Sequence, residues 1–276
     1  MTVWRDGDIV LAIENSNPGV ARGKATAPER NPTPRALDAD PTPERAGIAV
    51  GTWSAAAQRA ELLAHEPIRT LERNEDDLVA AIARCMERAQ RRPGDLRAVA
   101  VSIGPGGYTA LRMSVAAAKM IALSSRARAR AVPSAAAAFL AYSRTSESRR
   151  APGHTAIVLA SKAAAAYVEV YAAPDPAGAA ATAAPRVVAA GRVMDSSEFA
   201  ALDFATVLLD QHAPAEFLAV AAARSATLGP VTLDARDVLA LAPRAPEVNA
   251  NDLAPFYARE PEAVTLWRKL SAARPA

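Results

Sequence analysis

"AVAVSIGPGGYTALRMSVAAAKMIAL", residues 98–123, decides the fold. Its first six residues, 98–103, form a near-continuous apolar, β-type run. A strand buried on both faces reads this way, as in the middle of an α/β sheet. Gly104-Pro105-Gly106-Gly107 interrupts it. Thr109 is a candidate N-cap, and "ALRMSVAAAKMIAL" behind it continues as a helix. A buried strand that turns through glycines into a helix is the building unit of α/β proteins.

Two readings of the glycine corner stand side by side. In one, the backbone N–H groups of Gly104, Gly106 and Gly107 open a helix N-terminus and make an anion site. A phosphate bound there would meet those glycines and Thr109. In the other, the glycines supply positive φ and close strand–helix packing. Spacing favours the second. The loop lacks a Gly-Lys-Ser/Thr ending, and Thr109 stands where G-x-G-x-x-G needs its third glycine.

Working outward, Ile9–Ile13 of "DIVLAIENSN" is a second buried strand, and Glu14 is the acid of the turn behind it. An acid there can hold Mg²⁺ through water or simply be a solvated turn residue. Residues 17–46 are rich in Pro, charge and small residues, and are expected to form a mobile loop. "AGIAVGTW" and "ELLAHEPI" read as the two arms of a hairpin. "NEDDLVAAIARCMERAQRRPGD" reads as a helix over 74–92. Asn74 would cap it, with Asp77 three residues on, and Leu78, Ile82, Cys85, Met86 and Ala89 would form its apolar face. Arg88, Arg91 and Arg92 lie at its negative end, and Pro93-Gly94 stops it.

Further along, "RARAVPSAAAAFLAY" gives a short strand, a proline turn and a helix. The basic run "RARAR" (126–130) is expected to be a solvated helix end. Residues 155–160 and 166–172 read as strands, and 173–186 as a linker. "FATVLLD" and "LGPVTLD" are strands with a helix at about 214–225 between them. A further helix starts at "ARDVLALAPR". The tail gives an extended piece and a last helix. Nothing repeats with a fixed short period.

Composition excludes several classes. Cys85 is the only cysteine, so no internal disulfide forms, and a cytoplasmic location is expected. The apolar stretches are shorter than the roughly 20 residues needed to span a bilayer, so no membrane role is expected. His65, His154 and His212 are scattered, so no metal site is expected. Cys85 on an apolar helix face is a structural thiol and not a nucleophile. The formal charge of +3 is too small to argue for nucleic acid. Ser114, Ala116, Ala117 and Ala118 leave room for a facing helix.

Residues 98–123 resemble the glycine-loop segment of the TsaB (YeaZ) family, usually close to "GPGSFTGLRIGVATAKGLA". Gly104, Pro105, Gly106, Thr109, Leu111, Arg112, Val115, Ala116, Ala118 and Lys119 fall on that pattern. Gly107, Tyr108 and Ala110 replace its Ser, Phe and Gly. "LAIENSN", "YVEVYAA" and "LAPFYAREPEAV" follow in the family's order. Glu14-Asn15-Ser16 departs from the family's Asp-Thr-Ser. The second half is looser, and its glycines (Gly153, Gly178, Gly191, Gly229) include no adjacent pair.

The resemblance implies an α/β fold with the two lobes of the actin, sugar-kinase and heat-shock ATPase group, each a mixed sheet flanked by helices. The lobes are expected at 1–132 and 133–276. It implies a non-catalytic scaffold with no catalytic residue and no cofactor, weak nucleotide binding at most. Such a subunit pairs with a TsaD-type transferase, alongside a TsaE-type ATPase, in threonylcarbamoyl modification of the adenosine beside the tRNA anticodon. tRNA is then an indirect partner, and a homodimer is the other use of the pairing helices. Those helices would present Leu78, Ile82, Met86, Leu111, Met113, Ser114, Ala117, Met120 and Ile121. The competing reading is an active ATP-dependent kinase or carbamoyl-type transferase of the same fold.

Overall fold

The structure, a computed structural model, describes residues 3–16, 46–72, 75–145, 148, 153–161, 164–173, 184–259 and 267–268. The expected loop at 17–46 lies outside them except for Ala46. So do Asn74, Gly178 and most of the expected linker and last helix.

Two sheets carry the fold. The first has the order β13-β7-β6-β1-β2-β3. Its strands are β1 (Ile9–Glu14), β2 (Gly47–Ser54), β3 (Arg59–Pro67), β6 (Leu96–Gly104), β7 (Arg128–Pro133) and β13 (Glu247–Val248). The second has the order β10-β9-β8-β11-β12. It is built from β8 (Thr155–Ala160), β9 (Ala166–Tyr171), β10 (Val187–Met194), β11 (Thr206–Leu209) and β12 (Thr227–Pro230). A small ribbon, β4 (Thr70–Glu72) with β5 (Glu75–Asp76), stands apart.

The two sheets have one design. In each, three strands form an antiparallel meander, and two more then run parallel to the first of them. Helices make the parallel crossovers. In the first sheet these are α1 (Leu78–Arg88) and α2 (Tyr108–Ser125). In the second they are the short α4 (Ser196–Ala200) and α5 (Ala215–Ala223). Each half then adds one more helix, α3 (Ser134–Ser143) or α6 (Ala235–Leu241). This is the two-lobed α/β arrangement that the resemblance implies. After β12 the chain returns: α6 packs on β1, β2 and β3, and β13 pairs with β7 at the first sheet's edge.

Strand alternation assigns the layers. Successive side chains point to opposite faces of a sheet. On β1, Ile9, Leu11 and Ile13 face the cluster holding α1 and α2, while Val10 and Ala12 face the cluster holding α3 and α6. That second cluster also takes Ile157 and Leu159 of β8, so α3 and α6 lie between the sheets. Ala156 and Val158 face the outer helices of the second lobe, with Phe199 and Phe217. A helix between two sheets must be apolar nearly all round. Accordingly α3 buries seven of its ten residues, and the small side chains of Ala135, Ala137 and Ala138 permit close approach.

Four local expectations are corrected. The helix expected from 74 starts at Leu78, because Glu75–Asp76 pair with β4. Asp77 occupies the N-cap position, but its carboxylate accepts the Arg69 N–H at 2.6 Å and pairs with Arg84 instead of capping. The helix also ends at Arg88, four residues before Arg92. Thr109 is not the N-cap of α2: Gly107 is, with extended backbone (φ −61°, ψ 121°). Of the "RARAR" run only Arg126, the exposed C-cap of α2, is a solvated helix end. Arg128 and Arg130 lie in β7, and Arg130 is buried, donating to the carbonyl of Ala245 and the carboxylate of Glu247.

A closed loop and a buried acid at the candidate functional site

β1 and β6 are parallel neighbours, so the turns behind them leave the sheet side by side. Open α/β sheets place ligands at this end of their strands. Here the two turns are locked together. The N–H of Gly107 donates to the carbonyl of Ser16 at 2.5 Å. Gly106 approaches so closely that a Cβ would lie 1.7 Å from the Ser16 oxygen. Gly104 has φ +111°, and a Cβ there would sit 2.8 Å from the carbonyl oxygen of Phe256. The C-terminal segment holds that side: the N–H of Phe256 donates to the carbonyl of Ile103 at 2.7 Å. The loop's glycines thus meet backbone on both sides, and the Gly107 N–H is already engaged.

Glu14 does not face solvent. It is 1% exposed. One carboxylate oxygen accepts the Ser16 N–H at 2.6 Å and the Ser16 hydroxyl, and the other has no hydrogen-bond partner. Burial pushes the carboxyl above its ordinary range, and Asp234 adds to this, against the Ser16 hydrogen bonds and the nearby Ser102 hydroxyl. The Ser102 and Ser134 hydroxyls share a hydrogen bond of 2.9 Å. So the first-turn acid is not a solvated turn residue.

A second polar group lies on α6, between the sheets. Asp234 caps α6 by accepting the N–H of Arg236. Burial would raise its carboxyl, but hydrogen bonds from Arg236 outweigh burial and hold it below its ordinary value. Asp237, 1% exposed, forms an ion pair with Arg144 at the end of α3. Burial still pushes Asp237 up to about 7, and Asp234 adds to it. His65 lies 3.7 Å from Asp234 and is pushed below its ordinary value by burial. Sequence reasoning missed Asp234, Asp237 and Arg144. The available signal was "LDARD" at a helix start, with two acids three residues apart. Among the described residues, no group of three or more His, Cys, Asp or Glu could hold a metal ion.

Residues 67–202 match the family model described as TsaD, tRNA N6-adenosine threonylcarbamoyltransferase. YeaZ from Pseudomonas aeruginosa superposes with a TM-score of 0.59 at 16% identity, over 91% of this chain and 99% of that one. This chain shares the fold of YeaZ. An uncharacterized Pseudomonas aeruginosa protein with similarity to peptidase YeaZ gives a TM-score of 0.58 at 16% identity, over 91% and 100% of the two chains. No curated protein matches.

The helix residues expected at a pairing surface divide in two. Leu78, Ile82 and Met86 belong to the chain's own core beneath α1. Leu111 and Ser114 are fully buried, and the Ser114 hydroxyl bonds back to the carbonyls of Ala110 and Leu111. These five do not reach the surface. Met113 and Met120 do, at 37% and 65% exposure, and Ala117 and Ile121 are half-buried at the rim. Leu123, not foreseen, is also exposed, as is Tyr108 at the helix start, whose ring lies 5.2 Å from that of Tyr257. Met113, Ala116, Ala117, Met120 and Leu123 follow helical spacing, so they make one exposed face.

The second-lobe glycines have a packing role where described. A Cβ on Gly191 would meet the Tyr167 hydroxyl at 1.8 Å, and one on Gly229 would touch Leu208. Among the described residues no helix is long and apolar enough to cross a membrane.

Proposed function

We propose that this chain is a non-catalytic scaffold and activator that pairs with a TsaD-type transferase in threonylcarbamoyl modification of tRNA. It works with no cofactor of its own, and a TsaE-type ATPase serves the same complex. The α2 surface carries this reading. Met113, Met120 and Leu123 stand exposed on a helix whose other face is fixed in the core. Contiguous exposed apolar faces mark interaction sites. The small side chains of Ala116 and Ala117 between them let a second helix approach. The closed glycine loop and inward-turned Glu14 agree with a chain that leaves the chemistry to its partner.

The test mixes this chain with a TsaD-type protein from the same organism and follows co-elution and calorimetric heat. A stable heterodimer is expected, and no ATP turnover by this chain alone. ATP hydrolysis by the isolated chain, lost in Glu14→Ala, would overturn the reading in favour of an active enzyme. Exclusive self-pairing through α2 would replace the heterodimer by a homodimer.

A further inference from the structure

At the opposite end of the first sheet from the glycine loop lies an open cleft of about 1320 Å³. It exceeds the roughly 300–1,000 Å³ of an ordinary small-molecule pocket. Its walls come from five separated chain segments: the N-terminal turn, the β2–β3 hairpin, the start of β6, the start of β7, and the stretch leading into β13. They bring together five arginines, Arg5, Arg97, Arg128, Arg130 and Arg244, against one carboxylate, Glu247.

That carboxylate is already shared. One Glu247 oxygen lies 3.1 Å from a guanidinium nitrogen of Arg130 and 3.7 Å from one of Arg128. Asp8 reaches Arg97 only at 3.8 Å. The Nε atoms of Arg97 and Arg130 are buried without a hydrogen-bond partner, and Arg130 as a whole is 4% exposed. Burying a guanidinium N–H without an acceptor costs free energy. A structural ion-pair cluster would match its charges, and this one, with Asp8 counted beside Glu247, leaves three cations in excess. Burial disfavours the charged forms of Arg130 and Arg244 as well.

The remaining wall is aromatic. The Trp4 and Trp53 rings are 5.7 Å apart, and the Arg130 guanidinium lies 5.2 Å from the Trp4 ring. Trp53 is buried behind Trp4, which is only half-buried at the cleft. Guanidinium forks match phosphate oxygens, and an indole beside a basic groove is a surface on which a base lies. We propose that this cleft binds a nucleoside phosphate, with Arg97, Arg128 and Arg244 on the phosphate and Trp4 under the base. The proposal stands on charge and shape and does not depend on the partner reading.

A free nucleotide and an RNA strand supply the same chemistry. Calorimetric titration of the full chain with ADP, an eight-nucleotide RNA and pyrophosphate separates them. Saturable binding of ADP or RNA is expected, weakened at least tenfold in Arg97→Gln/Arg128→Gln with an unchanged melting temperature. RNA at least tenfold tighter than ADP assigns the site to a strand, and equal affinities assign it to a free nucleotide. Trp4→Leu is expected to weaken ADP and RNA but not pyrophosphate. Pyrophosphate binding as tightly as both base-bearing probes, no binding of any probe, or binding unchanged in the double variant would each overturn the proposal. Should Arg97→Gln/Arg128→Gln fail to fold, the salt dependence of RNA binding by Arg244→Gln decides: its slope falls by about one against the unsubstituted chain, and an unchanged slope overturns the proposal.

Discussion

Gly107 donates its backbone N–H to the carbonyl of Ser16, so the start of α2 is tied directly to the end of β1. These residues are 91 positions apart in sequence. The bond forms because β1 and β6 are parallel neighbours and leave the sheet together. It explains why the corner needs glycine. Gly106 must let its Cα approach the Ser16 carbonyl, and Gly104 must hold positive φ beneath Phe256. The same contact engages a donor that a phosphate would need.

Gly106→Ala is therefore expected to destabilise the fold. The new methyl would meet a backbone oxygen, which cannot rotate away as a side chain can. Overpacking costs typically about 1–3 kcal/mol and occasionally more. Gly94→Ala is the control. Nothing lies within 4 Å of its added Cβ, and its φ is ordinary. Its change should stay within about 1 kcal/mol. Urea unfolding of both variants checks the difference, and equal stability would show that the loop yields freely.

The two faces of α2 should respond differently to charge. Met120→Arg places a cation in water and should alter stability by less than about 0.5 kcal/mol, while abolishing pairing with a TsaD-type protein. Leu111→Arg places one at a fully buried position. Burying an unpaired charge costs far more, so that variant should lose its cooperative melt. Co-elution and thermal melts on the same samples separate the effects. Normal pairing by folded Met120→Arg would move the docking surface elsewhere.

Asp237 gives a pH dependence whose sign follows from its burial. The folded chain holds its proton up to about 7, whereas the unfolded chain releases it near 3.8. Between those values the unfolded state binds fewer protons, so stability falls as pH rises. Asp237→Asn removes that contribution. The variant's melting temperature, relative to the unsubstituted chain, should climb from pH 4 to pH 7 and then level off. A difference independent of pH would mean that Asp237 ionises normally beside Arg144. Asp77 and Asp234 are held below their ordinary values and act in the opposite direction, but they are present in both proteins and cancel.

Sequence showed much of the first lobe because its strands are long and apolar. Ile9–Glu14 is buried at all six positions, and Leu96–Gly104 at seven of nine. The hairpin, the glycine corner and α2 follow from local chemistry. β10 was not foreseen: most of its residues are exposed or half-buried, so it carries little apolar pattern. The duplicated topology was invisible because strand order is preserved without a sequence repeat. Asn74 and Asp77 imitate a cap, yet Asp77 is claimed by Arg69 and Arg84. The inward turn of Glu14 depends on Ser16 meeting a loop 91 residues away. Whole-chain charge hid the arginine cleft for a related reason: an excess of +3 spread over 276 residues says nothing about five arginines gathered at one sheet end.

Cys85 offers a measure of how firmly α1 sits on the sheet. It is fully buried, its thiol lies 3.6 Å from the carbonyl of Ile48 on β2, and burial and nearby Glu66 push it up to about 11. A thiol reagent needs both access and thiolate. At pH 8 the native protein should therefore react only through transient opening, while the denatured chain titrates one thiol at once. Where opening is fast relative to reaction, the observed rate reports the opening free energy. Arg88→Ala removes an ion pair to Glu66 that joins α1 to β3. It should speed labelling by several-fold, consistent with a loss of about 1 kcal/mol for a pair with one exposed partner. Immediate labelling of the native protein would instead place Cys85 at the surface and detach α1 from the first-sheet core.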